Sequence, residues 1–323
     1  MATLLQSIEQ LIDNVSITDR QEENIKNSVS NLDSHLRKEG NNLFVESTFT
    51  NGSYERDTII RPLNDVDIFA VLSKEDWKDE YDNLPNPQSV LTRIKNYLNG
   101  LDDYKDKVSQ SRPCVTIKLS DKDFDVLPSF AQIGGGYLIP NSDLKSWTYS
   151  YPEQLTSDLY ETHKKCNYKL KQVVRAIKYW NRENSKIIPS YHVEETAINI
   201  FKINSFTNYE EAIRLWFNNA EYYLVSQKFK SNDDYNAIVN KIKKVKDKLN
   251  DAKKLRDENK GSDAIKIWKE IFGKEFPTVD LDEAKNFAKS LSEGSLRVGS
   301  TGVLSTTIGK TVSASKGFYG DDI

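Results

Sequence analysis

The chain has 323 residues, enough for a large core and two subdomains. Charged residues make up 29% and the formal net charge is −3. That balance argues against a dedicated DNA or tRNA binder with a broad basic footprint, while leaving room for a local basic groove. The two cysteines, Cys114 and Cys166, have no paired spacing, and His35, His163 and His192 do not cluster with them, so neither a disulfide framework nor a zinc site is indicated. No apolar run approaches a membrane span, and MATLLQSIEQL lacks a charged-then-apolar signal pattern. A soluble cytoplasmic protein is expected.

Residues 3–38 carry apolar positions at helical spacing: Leu5, Ile8, Leu11 and Ile12, then Ile25, Val29 and Leu32. Ser16-Ile17-Thr18-Asp19 reads as a break with a new cap, so two helices are expected. Gly40-Asn41-Asn42 ends them, and Leu43–Thr48 reads as the first strand. Gly52-Ser53 then marks a turn. Twelve residues beyond Ser53, Asp65 and Asp67 open a second apolar run that continues to Leu72. In a strand over 65–72 both carboxylates point to one face. Two such groups repel each other and titrate abnormally unless a cation lies between them. Hard oxygen ligands of this kind suit Mg²⁺. A Gly allows close backbone approach, and a following Ser offers a hydroxyl and an N–H to a phosphate. The spacing of the turn and the acid pair is therefore what phosphoryl or nucleotidyl transfer needs.

Asp76–Pro87 reads as a loop and Val90–Leu98 as a helix. Val108 and Cys114–Leu119 suggest strands, with Ser120–Asp123 as a turn and Phe124–Leu127 as the returning strand, which Pro128 is expected to stop. Asp125 lies between Phe124 and Val126, where an unpartnered acid is costly to bury. It is the candidate third carboxylate. Asp123 shares its parity but falls in the expected turn. Gly134-Gly135-Gly136 reads as a flexible loop near the site entrance.

From about residue 155 the signals turn helical. A helix near 164–183 has an apolar stripe of Leu170, Val173, Val174 and Ile177. Lys171, Arg175, Lys178 and Arg182 form a basic stripe on another face, with Lys171 and Arg182 expected in solvent. Ser190 is a candidate N-cap for a helix starting at Tyr191, and Glu194 reads as structural. Helices follow over 208–226, 232–258 and 263–272. The Lys-rich run KIKKVKDKL reads as a solvated face, and Trp268, Phe272 and Phe276 as core. From Ser292 a Gly/Ser/Thr-rich stretch reads as a flexible tail. The expected division is 1–150, 151–291 and 292–323.

The Gly-Ser turn, the Asp-x-Asp strand and a third Asp on a neighbouring strand resemble the nucleotidyltransferase superfamily that contains DNA polymerase β, poly(A) polymerase and oligoadenylate synthase. GSYERDTIIRPLNDVDI looks more specifically like the bacterial relatives of cyclic GMP–AMP synthase, the anti-phage cyclic-oligonucleotide synthases. The resemblance covers most of residues 40–277. It implies an α+β fold: a polymerase β-like core, a mixed sheet with flanking helices, followed by a helical lobe. It also implies two Mg²⁺ ions, with Mn²⁺ as an alternative, on Asp65, Asp67 and Asp125. Gly52 and Ser53 would hold donor phosphates. Lys178 in VVRAIKYWN and Ser190 would neutralise the leaving pyrophosphate, and Tyr191 would stack on the donor base. The implied reaction joins ribonucleoside triphosphates through 2′- or 3′-linkages into a cyclic di- or trinucleotide messenger.

The animal enzyme's zinc-binding insertion cannot be built from these cysteines and histidines, so DNA activation is not expected. Either constitutive activity or control by a protein partner, acting on the core or the C-terminal tail, is. Relatives conjugated through their C-terminus usually end in a small residue, whereas this chain ends Gly320-Asp321-Asp322-Ile323. The alternatives are template-independent RNA tailing, for which no basic track is seen, and a nucleotide-binding module without turnover, against which the intact carboxylate triad weighs.

Overall fold

A computed structural model describes residues 3–63, 65–111, 113–277, 289–298, 304–305 and 310–312. Two N-terminal helices, α1 (Leu4–Val15) and α2 (Asp19–Leu36), each begin with a Thr capping box, at Thr3 and Thr18. Strand β1 (Val45–Asn51) runs into a single helical turn, α3 (Gly52–Glu55), and β2 (Asp65–Leu72) follows. A second short helix, α4 (Lys74–Trp77), begins the stretch expected as loop, and α5 (Pro87–Asn99) ends it. Strands β3 (Val108–Ser111), β4 (Cys114–Lys118), β5 (Asp123–Ala131), β6 (Tyr137–Pro140) and β7 (Trp147–Ser150) complete the sheet. Then come α6 (Pro152–Lys165), α7 (Leu170–Glu183), α8 (Ser190–Ile203), α9 (Tyr209–Tyr223), α10 (Asn232–Asp257) and α11 (Gly261–Phe272).

The sheet order is β1-β2-β5-β4-β3, with β6 and β7 continuing from β5. Only β2 and β5 are parallel, in the register Asp65↔Asp123 and Asp67↔Asp125; the other pairs are antiparallel. Alternation in β2 sorts its residues cleanly. Val66, Ile68, Ala70 and Leu72 are buried with Ile25, Leu32 and Leu36 of α2 and Val90, Leu91, Ile94 and Leu98 of α5. Asp65 and Asp67 therefore project from the opposite face.

A second core is helical, built around Trp180, Trp216, Trp268, Phe272 and Phe276. Helix α1 belongs to it: Leu4, Ile8, Leu11, Ile12 and Val15 all pack there, although α1 precedes the sheet in the chain. The Lys-rich α10 is a solvated face, with Lys243, Lys248 and Lys254 paired to Glu221, Glu270 and Asp251 at the surface.

Four expectations are corrected. Pro128 does not stop its strand, because β5 runs to Ala131. β4 pairs only as far as Val126 and β6 only from Phe130, so one side of β5 has no neighbour at Pro128 to miss its N–H. The helix expected near 164–183 is two, separated by left-handed Asn167 and Tyr168. Gly134–Gly136 form the turn between β5 and β6 rather than a loop at the site entrance. Asp125 lies six residues before β5 ends at Ala131, which at about 3.3 Å per residue sets that turn far along the strand. The basic stripe of α7 is not a solvated face. Lys171 and Arg175 pair with Asp57, and Arg182 donates to the Arg61 carbonyl. In the tail, Arg297–Val298, Leu304–Ser305 and Lys310–Thr311 pair as a small antiparallel ladder. Val312 N–H donates to the Leu296 carbonyl, and within the stretch expected to be flexible residues 299–303, 306–309 and 313–323 lie outside the described residues.

Attachment of α1 to the helical core can be checked by stability. Leu11→Ala removes a fully buried side chain and is expected to cost about 3 kcal/mol. Leu5→Ala, on the exposed face of the same helix, should change urea unfolding by less than about 0.5 kcal/mol.

Candidate active site

Strands β2 and β5 bring Asp65, Asp67 and Asp125 together, with one carboxylate oxygen from each lying within 4.8 Å of the others. Parallel register sets Asp67 directly beside Asp125. Asp123 also sits on β5 rather than in a turn, but it is not part of this cluster. Burial, then the charges of Asp65 and Asp125, push the Asp67 carboxyl up to about 6. Burial also raises Asp125, against a hydrogen bond of 2.5 Å from the Thr116 hydroxyl. The donor set is all hard oxygen, converging from two strands, and fits a divalent cation. Neither cysteine forms a disulfide. The Cys114 thiol is held protonated, by burial first and then by the three nearby carboxylates.

The Gly-Ser turn faces these carboxylates. Gly52 has φ +68°, and a Cβ placed on it would fall 1.7 Å from Asp67 Oδ2. Only glycine tolerates both the conformation and the contact. Asn51 pairs with Asp67 across the β1–β2 ladder, so the strand register itself brings the turn to the acid.

Behind the turn lies a buried ionic cluster. Glu194, 0% exposed on α8, accepts from Arg56 Nε at 2.6 Å, Lys178 Nζ at 2.5 Å and the Thr58 hydroxyl at 2.5 Å. Lys178 Nζ also donates to the Thr58 hydroxyl at 2.8 Å. Burial works to raise the Glu194 carboxyl, but Lys178 and Arg56 overcome it and hold the group low, so it stays ionised. Burial pulls the Lys178 ammonium down, opposed by Glu194 and more weakly by Asp67. The cluster joins the segment after the Gly-Ser turn to α7 and α8.

Two cavities flank the carboxylates. One, of about 320 Å³, is lined by Gly52, Ser53, Lys178, Ser190 and Tyr191 together with Asp65 and Asp67. The other, of about 660 Å³, is lined by Asp125, Thr116 and Lys118 among others. Asp65 and Lys186 line both. The candidate site residues Gly52, Ser53, Asp65, Asp67, Asp125, Lys178, Ser190 and Tyr191 thus each border one cavity or the other. Ser190 does so differently from expectation. It is the first residue of α8, Pro189 holds the cap position, and no side chain caps the helix. Tyr191 is 43% exposed, with Lys228 Nζ 5.5 Å from its ring centre.

Sequence reasoning missed Arg56, Thr58 and Lys186, and took Glu194 for plain structure. A signal for Glu194 was present: it follows Val193 and precedes Ala197 on a buried face, where an acid needs a counter-ion. Arg56 and Thr58 stand inside the same GSYERDT run but are brought to Glu194 by contacts spanning 138 and 136 residues of sequence.

Two outcomes follow from this geometry. Gly52→Ala is expected to keep the overall fold and to reduce the nucleotidyl transfer that the resemblance implies on the order of 10²-fold, because Asp67 must move aside. Circular dichroism and steady-state kinetics on the same preparation check it. The second outcome concerns pH. Between the ordinary carboxylate value of 3.8 and about 6, the native chain holds a proton on Asp67 that the unfolded chain has lost. Metal-free stability therefore falls as pH rises through that window. A cation on the triad reverses the cost, so added Mg²⁺ should raise Tm more at pH 8 than at pH 5.5, where it must displace the proton. Equal shifts at both pH values would show that the triad does not take the ion.

Among the described residues no helix is long and apolar enough to cross a membrane. The chain is 28% identical to the cyclic AMP-AMP-AMP synthase of Acinetobacter sp. (strain ATCC 27244 / 9458) over 284 residues, 79% of this chain and 80% of that one. A probable cyclic nucleotide synthase of Bacillus cereus (strain VD146) is 26% identical over 272 residues, 70% of this chain and 81% of that one. The fold is shared with CdnC of E. coli MS115-1, solved with ATP, at a TM-score of 0.66 and 17% identity over 84% of this chain and 98% of that one. It is shared equally with the DncV cyclic AMP-GMP synthase of Vibrio cholerae, solved with a linear intermediate, at a TM-score of 0.67 and 12% identity over 85% and 97%. The family model for the Second Messenger Oligonucleotide or Dinucleotide Synthetase domain matches residues 1–163, just over half of the chain. The chain belongs to that family, the bacterial nucleotidyltransferases that resemble cyclic GMP–AMP synthase.

Proposed function

We propose that this enzyme joins ribonucleoside triphosphates, ATP among them, into a cyclic di- or trinucleotide and releases pyrophosphate. The observation that carries the reading is the pair of cavities meeting at one carboxylate cluster, with Asp65 lining both. Joining two nucleotides needs a donor and an acceptor site that share the reacting centre. The name of the Acinetobacter relative, a cyclic AMP-AMP-AMP synthase, supports adenine as one base.

In this reading the smaller cavity takes the donor. Gly52 and Ser53 hold its phosphates, Lys178 and Ser190 meet the leaving pyrophosphate, and Tyr191 stacks on the base. The larger cavity takes the acceptor. A ribose hydroxyl oxygen attacks the donor α-phosphorus, the bond to the β-phosphate bridging oxygen breaks, and pyrophosphate leaves with that electron pair. The hydroxyl proton passes to Asp125, which lines the larger cavity beside the acceptor. Asp65, Asp67 and Asp125 would hold two Mg²⁺ ions, or Mn²⁺, which when bound neutralise charge on the attacking and leaving oxygens. Repeating the step with the free end of the linear product closes the ring. We take residues 1–150 as the catalytic core and 151–291 as the helical lobe, with α1 reaching across. The product acts as a second messenger in anti-phage signalling. A protein partner controls the enzyme, in keeping with the complex of E. coli MS115-1 CdnC with HORMA-deltaN.

The test incubates the protein with Mg²⁺ and four ribonucleoside triphosphates, each labelled in turn, followed by phosphatase and mass analysis. A phosphatase-resistant cyclic product is expected, and it should vanish in Asp65→Ala/Asp67→Ala. Extension of added RNA without a cyclic product would replace this reading with a tailing enzyme.

A further inference from the structure

The loop between α7 and α8 carries a lysine that no role above uses. Helix α7 ends in a paired turn: Ser185 N–H donates to the Arg182 carbonyl at 3.2 Å and Lys186 N–H to the Asn181 carbonyl at 2.8 Å. This hydrogen-bond pattern normally has glycine at the position Ser185 fills. Here Ser185 has φ +77° and Lys186 φ +50°, two successive side-chain-bearing residues in the left-handed region. Such a conformation persists only where its surroundings fix it. Asn181 does so. It is 2% exposed, donates to the Ile188 carbonyl at 2.7 Å and accepts from the Ile188 N–H at 3.1 Å. The loop is fastened at both ends, and the lysine between is exposed to solvent.

Lys186 lines both cavities, a position it shares with Asp65 alone. Most other cations there are engaged. Arg56 and Lys178 already pair with Glu194, Arg182 with the Arg61 carbonyl, and Lys122 with Asp121, and of these only Lys178 is assigned a phosphate above. Among the described residues Lys118 and Lys186 have no carboxylate partner, and of these only Lys186 borders both cavities. Three carboxylates already crowd that border. Two triphosphates meeting across them would add far more negative charge, with Lys186 the uncommitted cation beside the crossing point.

We propose that Lys186 is a substrate-binding residue that contacts phosphate oxygens where the two cavities meet, and so serves both the joining and the ring-closing step. The proposal rests on the reading of the two cavities as donor and acceptor sites. A fixed backbone with a flexible, unpaired side chain suits this use. The four-carbon stem can follow the phosphate from one cavity to the other as the linear intermediate is re-presented.

The test compares Lys186→Gln and Lys186→Arg with the wild-type full chain, reading kcat and KM, the ratio of linear to cyclic product, and Tm. Lys186→Gln is expected to lower kcat/KM by about 10- to 100-fold with Tm unchanged, and Lys186→Arg to recover most of the loss. Activity of Lys186→Gln within about twofold of wild type would overturn the proposal, as would Lys186→Arg failing as badly as Lys186→Gln, since loop shape rather than charge would then matter. Titration with a non-hydrolysable nucleoside triphosphate separates this from the parent reading. If the wild type turns over no nucleotide, the assigned reaction falls. The phosphate contact then stands or falls on whether Lys186→Gln weakens binding by about tenfold or leaves Kd unchanged.

Discussion

Three carboxylates held within 4.8 Å of one another are an electrostatic cost that the rest of the core has to carry. Pairing of β2 with β5 supplies the geometry, and the apolar face behind it supplies the driving force. Val66, Ile68 and Val126, which flank the acids in sequence, are all buried beneath them. Alternation along a strand makes both possible at once, with one residue committed to the core and the next to the site. The cost shows as a proton held on Asp67 up to about 6. It is also why Gly52 must be glycine, because the acid's oxygen occupies the space a side chain would need.

The cations nearest the cluster are not placed against it. Arg56 and Lys178 point instead to Glu194, and their effect on Asp67 is secondary to burial and to Asp65 and Asp125. A buried ion group of this sort contributes little net stability, since desolvation offsets most of the attraction, but removing one partner leaves an uncompensated charge. Its use here is geometric. Glu194 and Lys178 sit on α8 and α7, and Arg56 and Thr58 follow directly on the Gly-Ser turn. One carboxylate thereby fixes the Gly-Ser turn relative to both helices that line the smaller cavity. Asp57, between Arg56 and Thr58, extends the seam to Lys171 and Arg175.

Much of this could be read from the sequence because its chemistry is local. Asp65 and Asp67 share a face by strand period, Gly52-Ser53 stand at a fixed distance, and Asp125 is an acid in an apolar run. Leu170, Val173, Val174 and Ile177 repeat at helical spacing and are all buried. What could not be read depends on partners distant in the chain. The basic stripe of α7 looks solvated on a helical wheel, and only the arrival of residues 56–61 turns it into a seam. Glu194 reads as structure until Arg56 is brought beside it. Helix α1 has a clear apolar stripe, but nothing in that stripe says which core will take it. Pro128 misled for a related reason: its effect depends on whether a neighbouring strand needs its N–H, and none does.

The two cavities differ in the way a joining enzyme requires. The smaller is walled by helix ends and the Gly-Ser turn, elements locked by Glu194, so its surface is preset. The larger, about twice its volume, is walled by β4, β5 and the residues between them, including Lys118, Ser120 and Asp121 at the surface. If, as proposed, the smaller is the donor site and the larger the acceptor site, one set of carboxylates would act on a free nucleotide first and on a longer linear product next. The chemistry at phosphorus is the same both times. Under the proposed reaction both cavities change occupant between steps, because the linear product would present its triphosphate in the smaller and its free hydroxyl in the larger, and Asp65 and Lys186, which line both, would stay beside it throughout.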